Sequence, residues 1–375
     1  MERATQTSTI LVIFGATGDL SEKKLLPSIF NLCTKNLTPP RLKIIGLSRR
    51  TLTDDEFREF AAKAILRHRP YHSEKEIAGF LENLTYLSGN FEKKESYAAL
   101  GERFLQSDAE FGECSNKLFY LAVPPAHYET IFKKLNRTGL TVPCAGDGGW
   151  TRVLVEKPFG KDIKTAGRLE KILSRLFDEE QIFRIDHYLA KETIQNILSF
   201  RFSNVLFEPI WNRNFIEKVE IKFFEKSDAS NRGEFYEDIG ALRDVGQNHL
   251  LQMLSAIAME NPMGLNSKTL RAERARILKA IRPIRGRDVV KYTRRGQYQG
   301  FRKEKGVSPH SKTETYFWLN LFIDSERWRG VPFFLEAGKA LKENRAEISI
   351  YFKKAVACLC PPGAEEKHQN VLTFK

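Results

Sequence analysis

Thr9-Ile-Leu-Val-Ile-Phe14, followed at once by Gly15-Ala-Thr-Gly18-Asp-Leu-Ser21, decides how the first half of the chain is read. The run up to Phe14 is β-branched and apolar without polar alternation, which suits a strand buried on both faces of a parallel sheet. Gly15 and Gly18 let the backbone turn tightly and come close to a ligand. The stretch that follows, to about Lys35, predicts a helix whose N-terminus aims positive potential at the turn. Strand, glycine turn and helix in that order open a dinucleotide-binding fold. The spacing is Gly-x-x-Gly-x-x-Ser rather than the usual G-x-G-x-x-G, and a purely structural turn is the competing reading.

Residues 42–47 predict the second strand, which ends in Ser48-Arg49-Arg50. An acidic residue there would hold the ribose 2′-hydroxyl of NAD, whereas an arginine accommodates the 2′-phosphate of NADP. Two arginines and no carboxylate favour NADP, against the alternative of solvated surface arginines. Helices are expected over residues 54–66, 74–81, 95–105 and 126–135, and strands over 83–87, 117–123, 152–155 and 181–185. Pro124-Pro125 is expected to shape one wall of the cofactor crevice. The repeated alternation makes residues 1–185 a Rossmann-like, doubly wound α/β domain with a parallel sheet.

The second half differs. A strand over 219–224 precedes a long helix over 237–259 and a charged helix over 267–281, and further strands are expected over 313–322, 331–335, 347–352 and 371–374. Segregated helices and strands indicate an α+β domain over 186–375, with a large, mostly antiparallel sheet flanked by helices.

The chain of 375 residues, 42% hydrophobic and 29% charged, suffices for two globular cores. Its net charge of +13 favours anionic small molecules such as sugar phosphates and nucleotides. Basic residues are scattered apart from 271–295, with no stripe interleaved with aromatics, so no nucleic-acid partner is expected. Five cysteines fit a reducing compartment without a disulfide framework. Cys358-Leu-Cys360 lacks a second ligand pair at metal spacing, and no metal is expected. The apolar run before Gly15 is too short for a signal peptide and no segment is long enough to span a membrane, so a cytoplasmic protein is expected.

Three constellations carry chemistry. In Arg184-Ile-Asp-His-Tyr-Leu-Ala-Lys-Glu192, a strand runs into a helix, and His187, Tyr188 and Lys191 form a receptor for a phosphate near a helix N-terminus. The competing reading is Asp186 as a helix cap with a solvated Lys/Glu pair. Lys157, at a strand end followed by Pro158, is placed to touch substrate and nicotinamide together, unless it is a surface lysine in a turn. Asp244 and His249 lie five residues apart, so they share an α-helical surface only approximately and meet if the helix relaxes. An imidazole is the natural base at neutral pH, and a carboxylate fixes its tautomer and stabilises the imidazolium.

Phe14-Gly-Ala-Thr-Gly-Asp-Leu20, Val155-Glu-Lys-Pro-Phe-Gly160, Arg184 to Glu192, Asp244-Val-Gly-Gln-Asn-His249 and Ala337-Gly-Lys-Ala-Leu341 occur in the order found in glucose-6-phosphate dehydrogenases. Phe207-Glu-Pro-Ile-Trp-Asn-Arg213 and Arg327-Trp-Arg-Gly-Val-Pro-Phe333 also resemble that family. The resemblance implies oxidation of glucose 6-phosphate at C1 to 6-phosphogluconolactone with hydride transfer to NADP⁺, the entry step of the oxidative pentose phosphate pathway. By the same resemblance His249 is the base and Asp244 orients it and touches the sugar. His187, Tyr188 and Lys191 hold the 6-phosphate, Glu225 and Lys339 bind sugar hydroxyls, and Lys157 bridges sugar and nicotinamide. Gly15, Thr17, Gly18, Asp19, Leu20 and Arg49 line the cofactor site, and a homodimer or homotetramer is implied.

The chain departs from the family pattern in three places. Ala190 replaces a glycine, Asn344 stands where a second basic residue is usual with Arg345 one place late, and family members continue beyond Lys375 with further strands. A C-terminally short member or a fragment is therefore expected. The rival readings are a catalytically inactive NADP- or sugar-phosphate-binding remnant and another sugar dehydrogenase that relies on Lys157.

Overall fold

The computed structural model describes residues 8–68, 73–144, 149–157, 159–160, 162–186, 192–230, 232–264, 266–354 and 369–375. The chain divides into two compact units, Met1–Ile185 and Asp186–Lys375.

The first unit is built on six strands: β1 (Thr9–Phe14), β2 (Leu42–Ser48), β3 (Leu84–Ser88), β4 (Asn116–Leu121), β5 (Thr151–Val155) and β6 (Ile182–Arg184). They pair in the order β3-β2-β1-β4-β5-β6, all parallel, the doubly wound arrangement expected of the dinucleotide-binding fold. Every residue of β1 is buried because both faces of the central strand are covered. Phe30, Phe57 and Phe80 pack on one side, and Phe104, Phe132 and Tyr128 on the other. The helix Ile163–Leu176 was not foreseen. Its charged residues mask the apolar stripe, and Asp162 starts it with a reciprocal capping box to Thr165.

One expectation is corrected here: Cys114 and Cys144 form a disulfide, with Cα atoms 6.3 Å apart. The two cysteines precede β4 and β5, whose parallel pairing brings their entry loops together although they are distant in sequence. The Lys117 ammonium lies 3.7 and 3.6 Å from the two sulfurs and forms an ion pair of 2.6 Å with Asp108. Cys358-Leu-Cys360 lies outside the described residues.

The second unit carries β7 (Ile216–Phe224), β8 (Thr293–Gly296), β9 (Tyr316–Phe322), β10 (Pro332–Gly338), β11 (Arg345–Phe352) and β12 (Val371–Phe374), in the sheet order β12-β11-β7-β10-β9-β8. Among the described strands of this sheet only β7 and β10 pair in parallel. A parallel neighbour needs a crossover, which the helices between β7 and β8 supply. The core lies on the face they cover, around Val219, Ile221, Phe317, Phe333, Leu335 and Ile350. The other face carries polar rungs such as Lys218, Glu220 and Lys222, joined at 2.6 and 2.7 Å.

The helix expected over 237–259 is broken: a short α-helix Gly233–Glu237 ends where it should begin, and a π-helix Leu242–Leu250 and an α-helix Leu251–Ala258 follow. Gly240, at φ +73°, separates the first from the second. The end of the last piece is held by buried donors. Arg201 donates to the carbonyls of Ile257 (2.7 Å) and Met259 (3.0 Å), and the indoles of Trp211 and Trp328 donate to Ile257 and Ala258 (2.9 and 2.8 Å). These bonds satisfy carbonyls that a helix C-terminus leaves without intrahelical partners. Among the described residues no helix is long and apolar enough to cross a membrane.

Candidate functional site

In the first unit the carboxyl ends of β1, β2 and β4 enclose a cavity of about 560 Å³ lined by Gly15, Thr17, Gly18, Ser48, Arg49, Arg50, Pro124 and His127, among others. Backbone bonds set the glycine turn: Gly15 N–H donates to Leu47 O (2.8 Å), Gly18 N–H to Gly15 O (2.9 Å) and Ala122 N–H to Phe14 O (2.9 Å). Gly15 has φ +83°, and a Cβ there would stand 2.5 Å from the carbonyl oxygen of Ala122. Only glycine fits. The Thr17 and Ser48 hydroxyls share a hydrogen bond of 2.6 Å and tie the turn to the end of β2. Arg49 and Arg50 are both exposed beside it. Asp19 and Leu20 open the following helix, where Asp19 pairs with Lys23 at 2.8 Å. The helix begins with a π-turn, Ser21–Leu25.

Lys157 lies half-buried just past the end of β5. Its neighbour Glu156 is buried and accepts a hydrogen bond from the Tyr120 hydroxyl. The Tyr128 hydroxyl donates to the Glu156 carbonyl at 3.3 Å. Burial, and next the Glu156 carboxylate, push the Tyr120 hydroxyl far above its ordinary range, so it remains a donor. These two tyrosines anchor the strand end that carries Lys157. The sequence reading missed them because their partner is a residue of another strand.

In the second unit the parallel pair β7 and β10 brings Glu225 and Lys339 together, each the first residue past its strand. Glu225 N–H donates to Gly338 O at 3.0 Å, and the Lys339 ammonium bonds the Glu225 carboxylate at 2.8 Å. The next residue, Ala340, is left-handed at φ +54°. Such strain gathers at functional sites when surrounding structure holds it, and here Ala340 N–H is held by Ser227 O at 3.0 Å. Asn344 accepts from Lys226 N–H at 2.8 Å and so shapes the neighbouring turn. Arg345 starts β11 and engages Glu343 and Glu347.

Asp244 and His249 both lie on the π-helix Leu242–Leu250. An α-helix would rotate residues five apart away from one another. In a π-helix each backbone bond spans five residues, so Asp244 and His249 stand about one turn apart on a shared face. Gly246 makes this packing feasible: a Cβ there would lie 2.7 Å from the Phe317 ring. His249 is buried, with its ring 6.3 Å from that of Phe223, two residues ahead of Glu225. Asp244, His249, Glu225 and Lys339 therefore gather at one end of the sheet. His187, Tyr188, Ala190 and Lys191 lie outside the described residues, as does Pro158.

The model of the glucose-6-phosphate dehydrogenase NAD-binding domain matches residues 12–196, and that of the glucose-6-phosphate dehydrogenase C-terminal domain matches residues 198–375. Glucose-6-phosphate 1-dehydrogenase of Chlamydia muridarum is 42% identical over 361 residues, covering 92% of this chain and 70% of the relative. The cytoplasmic isoform 6 of Arabidopsis thaliana is 40% identical over 348 residues, covering 92% of this chain and 66% of the relative. A solved glucose-6-phosphate dehydrogenase in complex with glucose 6-phosphate superposes with a TM-score of 0.89 at 34% identity, covering 99% of this chain and 76% of that one. With matches of this extent in both units, the chain belongs to the glucose-6-phosphate dehydrogenase family.

Proposed function

We propose that this chain oxidises glucose 6-phosphate at C1 to 6-phosphogluconolactone, with NADP⁺ as cofactor. The observation that carries the reading is the π-helix, which brings a buried histidine and a carboxylate to the same face beside the Glu225–Lys339 pair. His249 takes the proton of the C1 hydroxyl, and Asp244 orients the imidazole and stabilises its charged form. Glu225 and Lys339 bind sugar hydroxyls, and His187, Tyr188 and Lys191 hold the 6-phosphate.

The cavity of the first unit suits a dinucleotide: Gly15 leaves room for close approach, and Arg49 and Arg50 stand at the end of β2 with no carboxylate among the described lining residues. When bound, NADP⁺ accepts the hydride from C1. Gly15, Thr17 and Gly18 support its pyrophosphate, Asp19 and Leu20 flank it at the helix start, Arg49 meets the 2′-phosphate, and Lys157 serves the reacting end. A cytoplasmic location, as in the Arabidopsis relative's name, and self-association as a dimer or tetramer belong to the same reading.

The test is turnover of glucose 6-phosphate by the purified chain with NADP⁺ or NAD⁺, followed as reduced-nicotinamide absorbance. Turnover is expected with NADP⁺. Binding of both ligands by a folded protein without turnover would make it a binding remnant. In the same assay Arg49→Ala is expected to raise the KM for NADP⁺ by roughly 10- to 100-fold, the value of one charge-assisted contact. The KM for NAD⁺ should stay unchanged. A variant that loses both cofactors equally would remove Arg49 from the 2′-phosphate.

A further inference from the structure

The short helix Gly233–Glu237 carries Tyr236 into the core of the second unit, where 2% of its surface is exposed. Its ring is fixed by Phe301, edge-on at 6.1 Å, and by the Lys339 ammonium, 5.5 Å from the ring centre. The hydroxyl is buried and has no hydrogen-bond partner among the described residues. An unpaired buried hydroxyl destabilises the fold that contains it, and folded proteins keep few of them.

The neighbouring Tyr298 shows that partners exist in this region. Its hydroxyl accepts from Ala229 N–H at 3.1 Å and donates to Glu304 at 3.2 Å. Tyr236 instead feels the charges of Asp244, Glu225 and Glu314, after burial the largest influences on it. All of these raise its pKa far above the ordinary tyrosine range, so it stays a neutral donor at any working pH. Two of the three carboxylates are those assigned above to the sugar, and the cation over the ring is Lys339, the ion-pair partner of Glu225.

We propose that the Tyr236 hydroxyl is a further contact of the sugar-phosphate site, donating a hydrogen bond to one hydroxyl oxygen of the sugar bound at Glu225 and Lys339. The contact rests on the reading that this unit binds glucose 6-phosphate. It also makes Tyr236 a specificity residue, because a donor left unpaired by a sugar lacking that hydroxyl penalises the analogue. A hydroxyl without a partner among the described residues is then the cost of a contact made only with ligand.

The test compares the full chain with Tyr236→Phe, which keeps the ring and its packing. The KM for glucose 6-phosphate is expected to rise about 3- to 12-fold, the value of one neutral hydrogen bond, with the KM for NADP⁺ unchanged. The free variant should melt at the same temperature or higher, and its thermal shift with glucose 6-phosphate should be smaller. Among deoxy analogues of glucose 6-phosphate, the one lacking the contacted hydroxyl should show the same KM with both proteins. An unchanged KM in a folded variant overturns the proposal. So does a raised KM with a lowered melting temperature of the free variant, since the hydroxyl then had a partner without ligand. If the unmodified chain turns nothing over, the catalytic reading falls, and the same comparison by calorimetric binding of glucose 6-phosphate still decides Tyr236. Absence of that binding overturns both.

Discussion

Replacing His249 with alanine is expected to lower kcat for glucose 6-phosphate by roughly 10²- to 10⁴-fold, the contribution of a positioned general base. At neutral pH water is a poor acceptor for a sugar hydroxyl proton, and no hydride leaves C1 until that proton has somewhere to go. His249 is a buried imidazole whose ring lies 6.3 Å from that of Phe223, two residues before Glu225, and the π-helix sets Asp244 about one turn from it. The described residues that line the cavity proposed for NADP⁺ all belong to the first unit, so the dissociation constant for NADP⁺ should not change. Sugar binding should persist as a thermal shift with glucose 6-phosphate, since the phosphate and hydroxyl contacts proposed above lie on other residues. A kcat within about threefold of the unmodified chain would remove His249 as the base and favour a sugar dehydrogenase that relies on Lys157.

Arg201→Met is expected to cost about 3–5 kcal/mol of stability, the usual result of removing one member of a buried ion pair. Arg201 is fully buried, pairs with Glu208 at 3.1 Å and donates to the carbonyls of Ile257 and Met259. Burial pushes its pKa down to about 10, still far above neutrality, so the guanidinium is charged under working conditions. Methionine fills much of the space but donates nothing, leaving helix carbonyls and the Glu208 carboxylate in a core without that donor. For a unit of this size the melting temperature should fall by roughly 10 °C, measured by thermal unfolding. The capped helix continues directly from the π-helix carrying Asp244 and His249, so the temperature of inactivation should fall with it. A change of less than about 2 °C would show that the backbone finds other donors.

The first unit was legible because its signals are local. A strand buried in a parallel sheet is a continuous apolar run, and β1, the Gly15 turn and the arginines after β2 each declare themselves within a few residues. The helix over 237–259 was misjudged because the same apolar spacing fits α- and π-helical stretches, and only packing against Phe317 tells them apart. The edge strand β8, Thr-Arg-Arg-Gly, was missed because its charges suit an exposed edge and break any strand pattern. The Cys114–Cys144 bond was invisible for a related reason: it depends on β4 and β5 being neighbours.

By itself the sequence determined which residue types are present for the chemistry and in what order. Asp244, His249, Glu225 and Lys339 each sit in a short motif, and a covalent chain records such motifs locally. Tertiary structure alone decided how they meet. The parallel pairing of β7 with β10 joins Glu225 to Lys339, and the π-helix turns Asp244 and His249 to one face. Packing also buries Tyr236 with no hydrogen-bond partner for its hydroxyl among the described residues, and aims Arg201 at a helix end. These are relations between segments far apart in the chain, set by how strands pair and cores fill, and no local pattern encodes them.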